Sequence, residues 1–304
     1  MTRVLFVFLD GVGIGRADPV GNPFLGARLP VLRGLLGDRL PTLDDPLLHH
    51  RGAREAVAFP LDASLGMAGR PQSGTGQTSL LTGVNGAELF GRHFGPWVPV
   101  ALRPLVEERS VLRRVVDAGR SAVFANAYPR EWSRTRGDRR IAAPPLAARG
   151  AGLLTRAQPE LAAGEAVSSE IVNDGWRARW PDEDIPSVTA EEAGRVLGRL
   201  ASGVALTFYA HYSTDTAGHS GSAEESRRAL ERVDRFLGGV LALLPADHLL
   251  LVASDHGNVE ELEAGHTLNP ALGLLVGPDA AARAGALESL LDPAPALLDW
   301  IGVD

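Results

Sequence analysis

The sequence predicts an α/β protein: a doubly wound, mainly parallel sheet with helices on both faces and a small inserted cap. Apolar runs rich in β-branched and aromatic residues alternate with amphipathic segments of helical period, and this alternation is typical of parallel sheets. Two of the apolar runs end in acidic residues, at the strand ends where open α/β sheets bind ligands. The 304-residue chain, with 45% hydrophobic and 22% charged residues, is long and apolar enough to bury such a core.

Four apolar runs are the predicted strands of this sheet. Val4 to Leu9 is the first of them, and Asp10 follows it directly, while Asp255 and His256 follow the last. Because the carboxyl ends of parallel strands lie at one edge of a sheet, we expect these three side chains to lie near one another. The other three runs cover 121–126, 204–209 and 248–253.

The helices are predicted from segments with charged residues on one face and Leu, Val and Phe on the other. These segments cover 100–118, 191–201 and 223–244, and a shorter helix is expected to begin near Thr75. The middle of the chain differs, because it holds three of the five tryptophans and has weak helix and strand periodicity. We therefore divide the chain into a core over 1–129 and 187–304 and an inserted cap over 130–186.

Composition excludes several classes of chemistry. The chain has no cysteine, so disulfides, cysteine nucleophiles, thiolate zinc sites and iron–sulfur clusters are ruled out. All 30 basic residues are arginine, so the chain has neither a Schiff-base lysine nor a Walker-type phosphate loop. The net charge of -7 disfavours general nucleic-acid binding. No apolar run is long enough to span a membrane, and we expect a cytoplasmic protein without membrane or nucleic-acid partners.

Five short segments combine acids, histidines and a hydroxyl with turn-forming glycines. Three aspartates and three histidines in four of them form a natural ligand set for two divalent cations, because imidazole suits Zn or Mn and carboxylates supply negative charge. The fifth segment places Ser73 at the start of the expected helix, where backbone N–H groups attract an anion. A bound metal would also lower the pKa of that hydroxyl. The segments are Leu9–Gly11, Pro71–Thr78, Asp215–His219, Asp255–Asn258 and Gly265–Pro270.

In this order and spacing, the five segments resemble the metal-binding core of the alkaline phosphatase superfamily. They are most similar to the branch that holds cofactor-independent phosphoglycerate mutase and phosphopentomutase, over roughly the first hundred and the last hundred residues. The resemblance implies two metal sites of three ligands each, with Ser73 as the nucleophile whose oxygen joins the second site. The first site is Asp215, His219 and His266, and the second is Asp10, Asp255 and His256.

The resemblance favours Mn²⁺ as the metal and a monomer as the oligomeric state, and the ligand set alone would also accept Zn²⁺. The chain departs from the sequence pattern of this branch in two ways, so the resemblance does not identify the substrate. Both named mutases have histidine where this chain has Gln77, and the Asp-Gly-Gly-Val-His-Ser-His stretch and the lysine of the phosphoglycerate mutases are absent. The middle of the chain is also shorter than the corresponding domains of these enzymes.

The expected function is dinuclear metal-dependent phosphoryl transfer on a small phosphorylated metabolite through a phosphoserine intermediate. We place hydrolysis of a phosphomonoester first, because the short insertion carries few substrate motifs and a mutase needs a closing cap. The alternatives are a phosphomutase of the phosphoglycerate or sugar-phosphate type, and a phosphodiesterase or nucleotide pyrophosphatase.

Three further residues are candidate substrate contacts. His93 follows the expected helix at Ser73, and Arg134 and Arg139 belong to the densest arginine cluster of the chain, whose forked side chains match phosphate geometry. Each has a structural alternative, either a buried hydrogen-bonded histidine or a solvated loop. Ser73 could likewise be only a helix cap, with Thr75 as the competing nucleophile.

Overall fold

The computed structural model describes residues 2–132, 140–261 and 265–303. Seven strands form one sheet, and each has a defined place in it. They are β1 (Val4–Leu9), β2 (Leu48–Arg51), β3 (Glu55–Leu61), β4 (Ala122–Phe124), β5 (Leu206–His211), β6 (Leu249–Ser254) and β7 (Ala271–Val276). Their order across the sheet is β2-β3-β7-β6-β1-β5-β4, so β1 lies between β5 and β6.

The sheet is mixed, but most of its strands share one direction. β1 pairs in parallel with β5 and with β6, and β4 pairs in parallel with β5. β7 is antiparallel to β6, β3 is antiparallel to β7, and β2 is antiparallel to β3. It follows that β1, β3, β4, β5 and β6 run one way and β2 and β7 run the other. The predicted α/β class with a mainly parallel sheet is confirmed.

Three strands have no counterpart among the predicted apolar runs. β2 reads Leu-His-His-Arg and β3 contains Pro60, so neither has the composition of a buried strand. β7 is interrupted by Gly273, where a Cβ atom would lie 2.2 Å from a ring carbon of Phe59. Glycine is therefore needed here because the ring of Phe59 on β3 packs against the β7 backbone, and not because the chain turns.

Alternate residues of β1 enter two separate apolar cores, as the pleat of a strand requires. Phe6 and Phe8 pack on the face that carries the helix Ser73–Thr82, and Leu5 and Val7 pack on the opposite face. The described helices are Pro23–Gly26, Pro30–Leu35, Ser73–Thr82, Gly86–Phe90, Arg103–Arg109, Val111–Asp117, Ala143–Gly150, Gln158–Ala162, Asp174–Arg179, Ala190–Ala201, Ser213–His219, Ala223–Leu243, Ala280–Ala284 and Pro293–Ile301.

The single helix predicted over 100–118 is divided. Ser110 has extended backbone angles, and its side chain accepts a hydrogen bond from the Arg113 N–H, so it caps a new helix at Val111. The predictions over 191–201 and 223–244 agree with the observed helices to within a residue at each end. None of the helices in the described part of the chain is long and apolar enough to cross a bilayer.

The middle of the chain contributes to two apolar groups. Leu146 and Ala147, in the helix Ala143–Gly150, are buried in the same core as Phe6. A smaller group contains Trp176, whose ring lies 5.0 Å from that of Trp180. The division into a core over 1–129 and 187–304 and a cap over 130–186 stays a prediction.

Candidate metal centre

The six predicted ligands converge at the carboxyl ends of three adjacent strands. Asp10 directly follows β1, and Asp255 and His256 directly follow β6. Asp215 and His219 lie in the short helix that follows β5. Since β1 lies between β5 and β6, these strands deliver five of the six side chains to one edge of the sheet. His266 arrives from the loop that precedes β7.

Asp10, Asp255 and His256 form one group, which we call the inner cluster. One ligand atom from each lies within 4.8 Å of the others, and the three residues are 6%, 0% and 0% exposed. His256 Nε2 lies 3.4 Å from Asp10 Oδ1 and 3.6 Å from Asp255 Oδ2. Ser73 Oγ lies 3.0 Å from the same nitrogen. The predicted nucleophile therefore faces the inner cluster directly.

Asp215, His219 and His266 form a second group, which we call the outer cluster. The Nε2 atoms of His219 and His266 lie 3.0 Å apart, and Asp215 Oδ2 lies 3.4 Å from His219 Nε2. His266 Nδ1 lies 2.9 Å from the carbonyl oxygen of Pro71. Because a proton on Nδ1 would be donated to that carbonyl, Nε2 keeps its lone pair for a cation. The side chain of His219 is 53% exposed, so this cluster opens to solvent.

His256 joins the two clusters. Its ring stacks on that of His266 with 3.9 Å between the ring centroids. Ligand atoms of Asp215, His256 and His266 also lie within 4.8 Å of one another. The two clusters therefore form adjoining candidate sites, and the His256 side chain lies between them.

The donor set fits divalent cations. Two ligands bound to one ion at about 2.1 Å lie roughly 3.0 to 3.4 Å apart, close to the separations in both clusters. Asp10 Oδ1 is buried and has no hydrogen-bond partner among the described residues. A buried acceptor of this kind is costly unless a partner satisfies it, and a cation would do so.

Titration of the carboxyl groups differs between the clusters. Burial, followed by the charges of Asp255 and Asp215, raises the pKa of Asp10 well above its ordinary value. Burial also raises the pKa of Asp255, although His256 acts against it. Burial would raise the pKa of Asp215 too, but the hydrogen bond with His266 and the charge of His256 outweigh it and lower that pKa to about 2. Neighbouring histidines therefore outweigh the effect of burial at Asp215 but not at the inner carboxyl groups.

Gln77 lies between the two inner carboxyl groups. Its amide nitrogen donates to Asp10 Oδ2 at 3.0 Å and to Asp255 Oδ2 at 3.1 Å. The sequence shows Gln77 only as a departure from the histidine of the named mutases. Its contacts show that the amide holds one oxygen of each carboxylate and leaves Asp10 Oδ1 directed at His256.

Two buried polar residues that sequence reasoning missed hold the surrounding loops. Glu260 accepts hydrogen bonds from Gly13 N at 3.0 Å, Asn258 N at 2.8 Å and Thr267 Oγ1 at 2.6 Å. Asn258 Nδ2 in turn donates to Asp215 Oδ1 at 2.6 Å. Asn258 belongs to one of the five segments, so the sequence pattern could have identified it. Glu260 lies just beyond that segment and belongs to no pattern.

The remaining predicted residues lie in different places. Thr75 Oγ1 accepts a hydrogen bond from Phe94 N at 3.1 Å, so this hydroxyl is engaged with the backbone while Ser73 faces the inner cluster. His93 lines a depression beside the centre. Arg134 and Arg139 lie outside the described residues.

A cleft of about 470 Å³ gives access to the centre. Its lining includes Ser73 and all three members of the outer cluster. Arg70, Gln72 and Pro96 form the remaining wall. A small molecule in this cleft would therefore contact the predicted nucleophile and the outer cluster together.

Comparison with known families and sequences links this chain to metalloenzymes. Residues 189–304 match the model of the metalloenzyme superfamily, a stretch that holds five of the six predicted ligands but neither Asp10 nor Ser73. A 2,3-bisphosphoglycerate-independent phosphoglycerate mutase of Syntrophotalea carbinolica is 35% identical over 136 residues, which is 41% of this chain and 25% of the mutase. A second such mutase, from Methanosarcina acetivorans, is 35% identical over 128 residues, 39% of this chain and 25% of its own. This chain thus aligns with a quarter of the length of these relatives.

Solved structures share the fold over the whole chain. A protein from Pyrococcus horikoshii superposes with a TM-score of 0.60 at 13% identity, covering 100% of this chain and 97% of its own. The alkaline phosphatase from the Antarctic bacterium TAB5 superposes with a TM-score of 0.54 at 10% identity, covering 99% and 98%. These solved structures show that the chain shares the fold of alkaline phosphatases, and the family match and the mutase relatives show its sequence similarity to metalloenzymes over part of its length.

Proposed function

We propose that this protein hydrolyses small phosphate monoesters through a phosphoserine on Ser73, with one divalent cation held by each cluster. The observation that carries this proposal is the 3.0 Å approach of Ser73 Oγ to His256 Nε2, the side chain through which the two clusters adjoin. A hydroxyl beside two sets of convergent carboxylates and imidazoles is suited to attack a phosphorus atom.

Asp10, Asp255 and His256 would hold one cation together with Ser73, and Asp215, His219 and His266 would hold the other. When bound, the two cations supply charge neutralisation for the transferring phosphoryl group and lower the pKa of coordinated oxygens. Mn²⁺ is our first choice, and Zn²⁺ suits the same nitrogen and oxygen donors.

The side chains of this chain supply the covalent chemistry and its alignment. Ser73 Oγ forms a bond to phosphorus while the bond between phosphorus and the ester oxygen breaks, and the alcohol leaves with the proton that the serine gives up. Water then cleaves the phosphoserine, which releases phosphate and restores the Ser73 hydroxyl. The N-terminus of the helix Ser73–Thr82 favours the negative charge that gathers there. The Nδ1 atoms of His256 and His266 face the carbonyl oxygens of Gly257 and Pro71, which fixes both rings.

Solvent access favours hydrolysis over transfer back to the substrate. The cleft reaches Ser73 past His219, whose side chain is largely exposed. A mutase must keep its phosphorylated enzyme from water until the product is rephosphorylated. The second candidate is a phosphomutase, which the 35% identity to phosphoglycerate mutases favours.

The test is to strip the metal, restore Mn²⁺ or Zn²⁺ and screen phosphomonoesters, phosphodiesters and sugar phosphates with the wild type and Ser73→Ala. We expect metal-dependent phosphate release from monoesters and a loss of at least about a thousandfold in Ser73→Ala. Ser202→Ala removes an exposed serine just before β5, at the edge of the sheet opposite the centre, and this control should retain activity. A covalent phosphoryl group should be trapped by acid quenching in the wild type alone.

Each other outcome assigns a different function. Isomerised sugar phosphate or phosphoglycerate without phosphate release would establish the mutase. Faster turnover of diesters than of monoesters would establish the phosphodiesterase. Release that persists in Ser73→Ala, or a chain that binds no metal after reconstitution, would overturn the proposal.

A further inference from the structure

A second depression, of about 340 Å³, adjoins the metal cleft. Arg70 and Gln72 line both, so these two side chains form the boundary between them. We call the second depression the arginine annex, because Arg70 and Arg92 line it together with His93. None of the described residues that line it is acidic. Guanidinium groups on a concave wall attract an anion.

Arg92 is held in place by two aromatic rings. Its guanidinium carbon lies 5.8 Å from the centre of the Phe90 ring and 6.0 Å from that of Phe94. These two rings meet edge to face at 5.0 Å. A guanidinium group confined in this way loses less freedom when it binds an anion than one on a free side chain.

The loop that carries Arg92 is fixed to the start of the Ser73 helix. Thr75 N donates to Phe94 O at 2.9 Å, and Thr75 Oγ1 accepts from Phe94 N. The packing is so close that a Cβ atom on Gly74 would lie 2.1 Å from Trp97 O. The annex and the predicted nucleophile therefore keep one relative position.

His93 also lines the annex, with both of its ring nitrogens buried. Burial lowers the pKa of His93, while the carbonyl groups of Ser64 and Met67 and the charge of Asp62 act in the opposite direction. The positive charge of the annex therefore comes from its two arginines.

We propose that the arginine annex binds a second phosphate group at the far end of the substrate, so that Arg92 determines specificity for bisphosphorylated small molecules. The proposal rests on the function proposed above, because the first phosphate must lie at Ser73. Arginine suits this role, since its fork pairs with two phosphate oxygens at once. A monoester without a second anion would occupy the metal cleft alone.

The test measures binding separately from turnover. Linear alkane bisphosphonates of increasing length and the matching monophosphonates are titrated by calorimetry into metal-reconstituted wild type, Arg92→Gln, Arg92→Lys and Arg51→Gln. We expect the best bisphosphonate to bind the wild type at least about tenfold more tightly than its monophosphonate. Arg92→Gln should abolish that difference, Arg92→Lys should restore part of it, and Arg51→Gln, on the exposed strand β2, should leave it unchanged.

Turnover gives the second readout. For an alkane bisphosphate, Arg92→Gln should raise KM about tenfold with little change in kcat, and neither constant should change for p-nitrophenyl phosphate. Thermal unfolding of each variant checks that it folds. If the wild type binds the bisphosphonate and the monophosphonate equally well, the proposed role of the annex is wrong even if Ser73-dependent turnover is present. A preserved tenfold difference without any turnover would instead overturn the proposed function and leave the annex in place.

Discussion

The inner and outer clusters use the same residue types in different surroundings. The inner cluster is closed to solvent, and burial raises the pKa of both of its carboxyl groups. The outer cluster opens into the cleft, and its histidines help to hold the pKa of Asp215 at about 2. Histidines therefore offset burial at Asp215, whereas at the two inner carboxyl groups a bound cation would supply the positive charge that offsets burial.

This difference leads us to expect that the two clusters bind their cations with different affinities. A cation that relieves buried like charges is bound more tightly than one at a balanced, solvated site. We expect the inner cation to remain with the protein and the outer one to exchange more readily, close to where substrate enters. Four measurements test whether the two clusters differ in this way.

The largest effect is expected from Asp255→Asn, which removes a buried negative charge from the inner cluster. We expect a loss of about a thousandfold in kcat and of one tightly bound metal per chain, beyond the 10- to 100-fold typical of residues behind a ligand. Elemental analysis and steady-state kinetics measure both quantities. Asp247→Asn, at an exposed aspartate, is the control. Full metal content in Asp255→Asn would remove the distinction between the clusters.

The second measurement concerns His211, a buried residue next to the outer cluster. It is the last residue of β5 and lies just before the helix that carries Asp215. Burial lowers its pKa to about 4, so the folded protein holds it neutral, with Nδ1 2.7 Å from Ser169 O. A lowered histidine pKa gives stability that is present above the unfolded value of about 6.5 and is lost as pH falls towards 4. The free energy of unfolding should drop by up to about 3 kcal/mol across this window.

Urea unfolding in the presence of a chelator, at a series of pH values, measures this loss for the wild type and for His211→Asn. The variant lacks the titrating group, so its stability should fall less steeply between pH 6.5 and 4. Parallel curves for the two proteins would show that His211 is not responsible.

His219→Gln tests how independent the outer cluster is. Because this side chain is exposed, the variant should unfold within about 0.5 kcal/mol of the wild type. Its affinity for the more weakly bound Mn²⁺ should fall about thirtyfold, and the tighter site should be unchanged. Calorimetric titration of Mn²⁺ into metal-free protein resolves the two sites. Equal weakening of both would mean that the clusters act as one unit.

The smallest effect is expected from Gln77→Met, which keeps the side-chain volume but removes the donor shared by Asp10 and Asp255. Affinity at the tighter site should fall about tenfold, as for other residues that orient a ligand. Gln77→His restores an N–H donor and should recover part of this loss. An unchanged tight site in Gln77→Met would show that the carboxylates need no such restraint.

Local sequence patterns predicted the strands that are uninterrupted apolar runs. β1 and β6 are uninterrupted apolar runs with acids at their ends, and the structure brings Asp10, Asp255 and His256 close together there. β3 and β7 were not predicted, because each contains a residue that is unfavourable in a strand, Pro60 in β3 and Gly273 in β7. Tertiary packing between the two strands accommodates both residues.

The same distinction applies to the candidate site. Residues inside glycine-flanked motifs could be found, and their roles as ligands stay predictions. Gln77 and Glu260 could not be assigned contacts, because a single polar residue has no period or spacing that shows what it faces in the folded chain. Arg92 carries no motif either, and its place beside Ser73 follows only from the loop that packs on Thr75.

The central position of β1 has a consequence for how the protein is made. Val4 pairs with Leu206 and with Leu249, so β1 is synthesised about 200 residues before β5 and about 245 residues before β6. At about 5 to 20 residues per second, the ribosome leaves this apolar hexapeptide without a sheet for roughly 10 to 40 s. During that interval it is a ready target for chaperones or for aggregation. Metal loading must follow, since Asp10 meets its partners only when nearly all of this sequence has left the exit tunnel.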